Sequence, residues 1–179
     1  MTNPTFFMMI GSAGEVSGSG FSPDGTMPPG AVACTQAQAE NYGAYAVSNN
    51  EVIAAAPAVL TAQAQAAQIA TLTAAYQQAI QAPVSYTSKG GVTKTYQADP
   101  GSVANLQSML LAFGATQTVP SGFYWVAADN TQVPFTYADM QGLAQAIGAQ
   151  GAAAFQHLQT QKAAVKAATT VSAVQAITW

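Results

Sequence analysis

Seven carboxylates, one histidine and one cysteine are the side chains with which this sequence could most readily do acid–base, nucleophilic or metal chemistry. Their spacing assembles no catalytic set. Asp99, Asp129 and Asp139 stand at turn and helix-cap positions, and Asp24 sits in a Pro-Asp-Gly turn. Glu15, Glu40 and Glu51 are dispersed, so a two-carboxylate glycosidase would need distant residues to converge. His157 lies beside Leu158 on a helical pattern, and no G-x-S-x-G elbow accompanies it. It reads as a surface or packing residue. A metal site would need more ligands than one His and scattered acids. Cys34 is alone, which excludes an intrachain disulfide and a cysteine zinc site. The stretch GSAGEVSGSG, residues 11–20, has its glycines out of dinucleotide-binding order and no helix pattern after it. It reads as a strand-to-strand connection. The expectation is a protein without catalytic residues, cofactor or metal.

Composition narrows the partners. Only 6% of the 179 residues are charged, against about 25% in typical globular domains. Four lysines and no arginine cannot neutralise many phosphates, so nucleic-acid binding is not expected. Polybasic docking to membranes fails on the same ground. The run FFMMI is too short for a signal peptide and has no preceding Lys or Arg. Ala54 to Ala82 carries many Gln and Thr and is not a membrane span. Solubility must therefore come from Gln, Ser, Thr and Asn. Two readings fit so little charge: Ala replacing Glu and Lys by genomic drift, or a surface covered in an assembly.

The elements that must position these residues form an α+β chain. Residues 1–57 read as a small strand-rich N-terminal module. It has an apolar strand at Thr5–Ile10, a short helix from Thr35 to Tyr42 capped by Thr35, and a strand at Glu51–Ala55. Residues 58–82 read as a connecting helix. Ile69, Leu72, Tyr76 and Ile80 share one face of it and are the candidate partner contacts. That face suits either packing on its own domain or an oligomerising stalk. Residues 83–179 read as a domain of two β-hairpins and two to three α-helices. One hairpin runs from Val84 to Gln97 around SKGG; the other turns at Asp129-Asn130. Asp99-Pro100 opens a helix with the stripe Val103, Leu106, Leu110 and Phe113. Thr136 with Asp139 makes a near capping box for a longer helix carrying Leu143, Ile147, Ala154, Leu158 and Val165. Gly148 and Gly151 weaken its middle or permit close contact. Val171 to Trp179 reads as a last short helix or a tail. Trp125 and Trp179 are expected in the core, because small domains bury their few large rings; the alternative for Tyr124, Trp125, Tyr137 and Trp179 is a binding hot spot, where Trp and Tyr concentrate.

The ordered series TYQADPGSVANLQSMLLAFGA, PSGFYWVAADNTQVPFTYADMQGLAQAI and KAAVKAATTVSAVQAITW resembles an uncharacterised C-terminal domain of tailed-bacteriophage and prophage tail-fibre and tail-fibre-assembly proteins. The resemblance covers about Pro83 to Trp179. The passage MPPGAVACTQAQAENYGAYA resembles the N-terminal module of tail-fibre-assembly proteins, with Gln and Ala in place of acids other than Glu40. The resemblance implies a non-enzymatic phage tail protein that binds tail fibre or baseplate. It would act as an assembly chaperone or as a structural component of the virion. It also implies an oligomer, with a trimer as the natural guess beside trimeric fibres. The site of action would be the host cytoplasm during assembly, or the tail of the virion. The alternatives are a receptor-binding adhesin at the tail tip, using the Gly-rich loops, and a tail-associated glycan-degrading enzyme.

Overall fold

A computed structural model describes residues 4–11 and 15–179. Residues 12–14, in the glycine-rich stretch read as a connection, lie outside the described residues. The chain is mixed α and β and divides into two compact units. The first comprises residues up to Ala66 and Ala168–Gln175; the second comprises Ala67–Ala167 and Ala176–Trp179. The boundary falls inside a helix rather than before it. A late segment also returns to the first unit, which local sequence patterns do not reveal.

The first unit holds a three-stranded antiparallel sheet: β1 (Thr5–Ile10) lies between β2 (Val16–Ser22) and β3 (Val32–Cys34). The second half of the glycine-rich stretch, from Val16, is thus strand, not connection. The reason is steric. Gly20 pairs with Phe7 across the ladder, and a Cβ at Gly20 would fall on the Phe7 ring. Helix α1 (Gln36–Glu40) starts from a complete capping box. The Gln38 amide donates to Thr35 Oγ1 at 3.2 Å, and the Thr35 amide donates to Gln38 Oε1 at 2.8 Å. The expected strand near Glu51 is present as β5 (Glu51–Ala54), paired with an unforeseen β4 (Tyr45–Ser48). Asn49 and Asn50, at φ 50° and 63°, turn the chain between them, and Asn tolerates that backbone better than other side chains. Helix α5 (Val171–Gln175) belongs to this unit, with Val174 buried and Thr170 accepting from the Ala173 amide at 3.2 Å.

Helix α2 (Pro57–Ala79) contributes its residues from Ala67 onward to the second unit. There follow the hairpin β6 (Val84–Thr87) and β7 (Thr93–Tyr96), α3 (Pro100–Ala112), the hairpin β8 (Tyr124–Val126) and β9 (Gln132–Pro134), and α4 (Tyr137–Ala167). Asp99 caps α3 by accepting from the Gly101 and Ser102 amides at 2.9 and 3.1 Å, with Pro100 at the first helical position. The core combines both hairpins and both later helices: Tyr96, Leu106, Ala127, Val133, Phe135, Met140 and Leu143. Phe135 gathers the rings of Tyr96 and Tyr86 at centroid distances of 5.3 and 6.0 Å. Along α4 the expected series holds, with Leu143, Ala154, Leu158 and Val165 buried and Ile147 half-buried.

The close approach expected at Gly148 or Gly151 occurs instead at Gly142. A Cβ there would lie 2.8 Å from two ring carbons of Tyr86, whereas nothing stands within 4 Å at Gly148. Gly142→Ala should lower stability by about 1–3 kcal/mol through overpacking. Gly148→Ala should raise it by about 0.5–1 kcal/mol, because alanine loses less chain entropy in a helix. Urea midpoints of the two variants check both signs.

Candidate functional site

The acids come first, because they carry most of the charge. Asp24, Asp99 and Asp129 each accept local hydrogen bonds that hold their carboxyl groups below the usual range. For Asp24 the first donor is the Thr26 hydroxyl, for Asp99 the Ser102 hydroxyl, and for Asp129 the Lys94 ammonium. Lys94 Nζ stands 2.7 Å from Asp129 Oδ2 in an open ion pair, a type that contributes little to stability. Among the described residues, no three His, Cys, Asp or Glu side chains come together. Burial pushes the half-buried Cys34 thiol up, away from the reactive thiolate.

Asp139 is different, because it is only 1% exposed. Its Oδ2 accepts from the Thr136 amide at 2.8 Å and the Thr136 hydroxyl at 2.6 Å. Its Oδ1 accepts from the Lys89 amide at 2.6 Å and the Tyr86 hydroxyl at 3.4 Å. The capping box at the start of α4 is completed by the Asp139 amide, which donates to Thr136 Oγ1 at 3.2 Å. Burial alone would raise the carboxyl. The donors from Thr136, Lys89 and Tyr86 outweigh burial and hold it below the usual range. Burial first, and then the same negative charge, push the Tyr86 and Tyr96 phenols up. The Tyr96 hydroxyl is buried without a hydrogen-bond partner among the described residues. The cluster is a clamp between the β6–β7 turn and α4, and the carboxylate inside it has almost no surface to offer a substrate.

An open cleft lies between α3 and the β8–β9 hairpin, with a volume of about 450 Å³. Trp125 lines it, half-buried, together with Gln97, Ser102, Asn105, Tyr124 and Asn130. Trp125 packs against Phe135 and Phe123, at ring-centroid distances of 6.4 and 6.5 Å. No local motif announces this cleft, because its walls come from α3, β8 and the β8–β9 turn, with Gln97 from the loop before α3.

The four candidate partner contacts, three on α2 and Ile80 just past its end, do not share one fate. Leu72 is 1% exposed, so its own chain already covers it. Ile69, Tyr76 and Ile80 are half-buried, and Tyr76 meets the Phe155 ring edge-on at 6.4 Å. The α2 end is held as well: Gln150 Nε2 donates to the carbonyls of Ala79 and Ala82 at 3.0 and 2.8 Å. The expectation of two core tryptophans is corrected for Trp179, whereas Trp125 packs against the core cluster. Trp125 is half-buried, and Trp179 is 41% exposed. Trp179 packs its ring edge-on against His157 at 4.8 Å, because the chain end lies along α4 and not in the aromatic core.

Two consequences can be measured. Asp139→Asn should cost about 3 kcal/mol, since buried N–H donors that lose their acceptor cost about 1–3 kcal/mol each. Because the folded carboxyl titrates below its unfolded value, its contribution is full above about pH 4 and is lost as pH falls through the folded value. The variant should lose that part of the acid dependence in denaturation at stepped pH. Trp179→Ala should cost only about 1 kcal/mol, the worth of an edge-on ring contact at a half-open site, as read from the thermal midpoint.

No helix among the described residues is long and apolar enough to cross a membrane. No curated protein and no solved structure matches the chain. A family model does: residues 63–178 match the one described as a domain of unknown function, DUF4376. The match covers the whole second hairpin-and-helix assembly and most of α2, and the chain belongs to that family.

Proposed function

We propose that this chain is a non-enzymatic protein of a bacteriophage tail that binds tail fibre, as an assembly chaperone or as a retained fibre or baseplate component. The observation that supports it is the pairing of a nearly uncharged surface with large apolar side chains left in water. Leu111 is 84% exposed, and Phe21 and Phe155 are each 52% exposed. Such a surface keeps itself solvated poorly and gains by being covered. The four aspartates support the non-catalytic half of the reading, since each is engaged as an acceptor in a turn, cap or clamp. The sequence resemblance supplies the fibre as the partner. A homotrimer is the proposed state, and contact runs through exposed apolar side chains, not through Leu72. The proposed setting is the host cytoplasm during assembly, followed by the virion if the protein is retained.

An apolar contact survives salt that weakens charge-driven complexes. The chain should co-elute with its co-expressed tail fibre at low and high salt, with the mass read by light scattering behind a sizing column. A monomer that ignores the fibre under both conditions defeats the proposal. Mass spectrometry of purified particles then separates the roles. Stoichiometric presence marks a virion component, and absence marks a chaperone.

A further inference from the structure

We propose that the cleft between α3 and the β8–β9 hairpin binds a neutral polyhydroxylated ligand, a sugar unit of a glycan. Its volume of about 450 Å³ is that of a small-molecule pocket. Trp125 offers an indole whose orientation is set before any ligand arrives, because Phe123 and Phe135 pack against it. An apolar ring face is the complement of the C–H face of a sugar ring. Around it stand the side-chain amides of Gln97, Asn105 and Asn130, from three elements or turns. None of the three has a hydrogen bond to the chain among the described residues, and each can both donate and accept. Vicinal hydroxyls need that dual capacity. The Ser102 hydroxyl donates to Asp99 at 2.6 Å, which leaves its lone pairs to accept. No charged side chain lines the cleft. A phosphate or a carboxylate would lose hydration there without a counter-charge, so a neutral ligand fits best.

This inference is independent of fibre binding: a chain that ignores the fibre can still hold a sugar, and the reverse. The test is an NMR titration of the full nitrogen-labelled chain with neutral gluco-, galacto-, manno- and N-acetylglucosamine-type oligosaccharides, and separately with a capped tetrapeptide. At least one sugar should shift the Trp125 indole N–H and the side-chain amides of Gln97, Asn105 and Asn130, while the Trp179 indole stays in place. Asn105 is exposed on α3, so Asn105→Ala should keep the fold and weaken that sugar about tenfold, as the loss of one ligand hydrogen bond predicts. The proposal is overturned if no sugar of the panel moves these signals, if only the peptide does, if the shifts fall elsewhere, or if Asn105→Ala binds as before.

Discussion

Asp139 carries a negative charge almost out of reach of water, in a chain with four lysines and no arginine. Removing a carboxylate from water is costly unless donors replace its hydration. Here the replacement comes from Thr136, Lys89 and Tyr86, and two of these lie far away in the chain. The start of a helix adds its own favourable field for an anion. Meeting those donors fixes the first turn of α4 against the β6–β7 hairpin. That placement brings Tyr86 onto Gly142, where only a residue without a Cβ fits. It also brings Tyr86 and Tyr96 to Phe135, and so the rest of the aromatic core follows from the clamp.

Glutamine does much of the work that charge does elsewhere. Gln150 reaches the carbonyl of Ala79, the last residue of α2, and that of Ala82 beyond it, and Gln68 and Gln161 hold the carbonyls of Ile177 and Thr178 near the chain end. Gln65 does the same for Ala168. Helix ends leave carbonyls without partners, and a long amide side chain reaches them without the desolvation cost of an ion. A chain built this way tolerates low charge in its scaffold. Its surface then keeps apolar side chains in water, which is the physical basis of the interaction reading.

The cleft beside Trp125 stands apart from that surface. It lies between a capped helix and a short hairpin, and its polar lining is uncharged: the amides of Gln97, Asn105 and Asn130 with the Ser102 and Tyr124 hydroxyls. The two proposals name different partners: a protein face for the exposed apolar side chains, and a small hydroxylated ligand for the cleft.

What the sequence determined by itself was local. Thr35, Asp99 and the Thr136–Asp139 pair cap helices through bonds spanning two or three residues, and such bonds are encoded by neighbours. The turns of the two later hairpins and the spacing of Leu143, Leu158 and Val165 were legible for the same reason. The tertiary structure decided what depends on distant partners. The capping aspartate became a buried clamp because Lys89 and Tyr86, 50 and 53 residues away, meet it. Leu72 was taken by its own chain, Trp179 was left on the surface against His157, and α5 joined the first unit. The second half of the glycine-rich stretch became a strand, with Gly20 leaving room for the Phe7 ring across the ladder. Gln97, Asn105, Trp125 and Asn130 became one cleft only once two elements and a turn had closed around it. Side-chain periodicity records which face is apolar, but not which element will cover it.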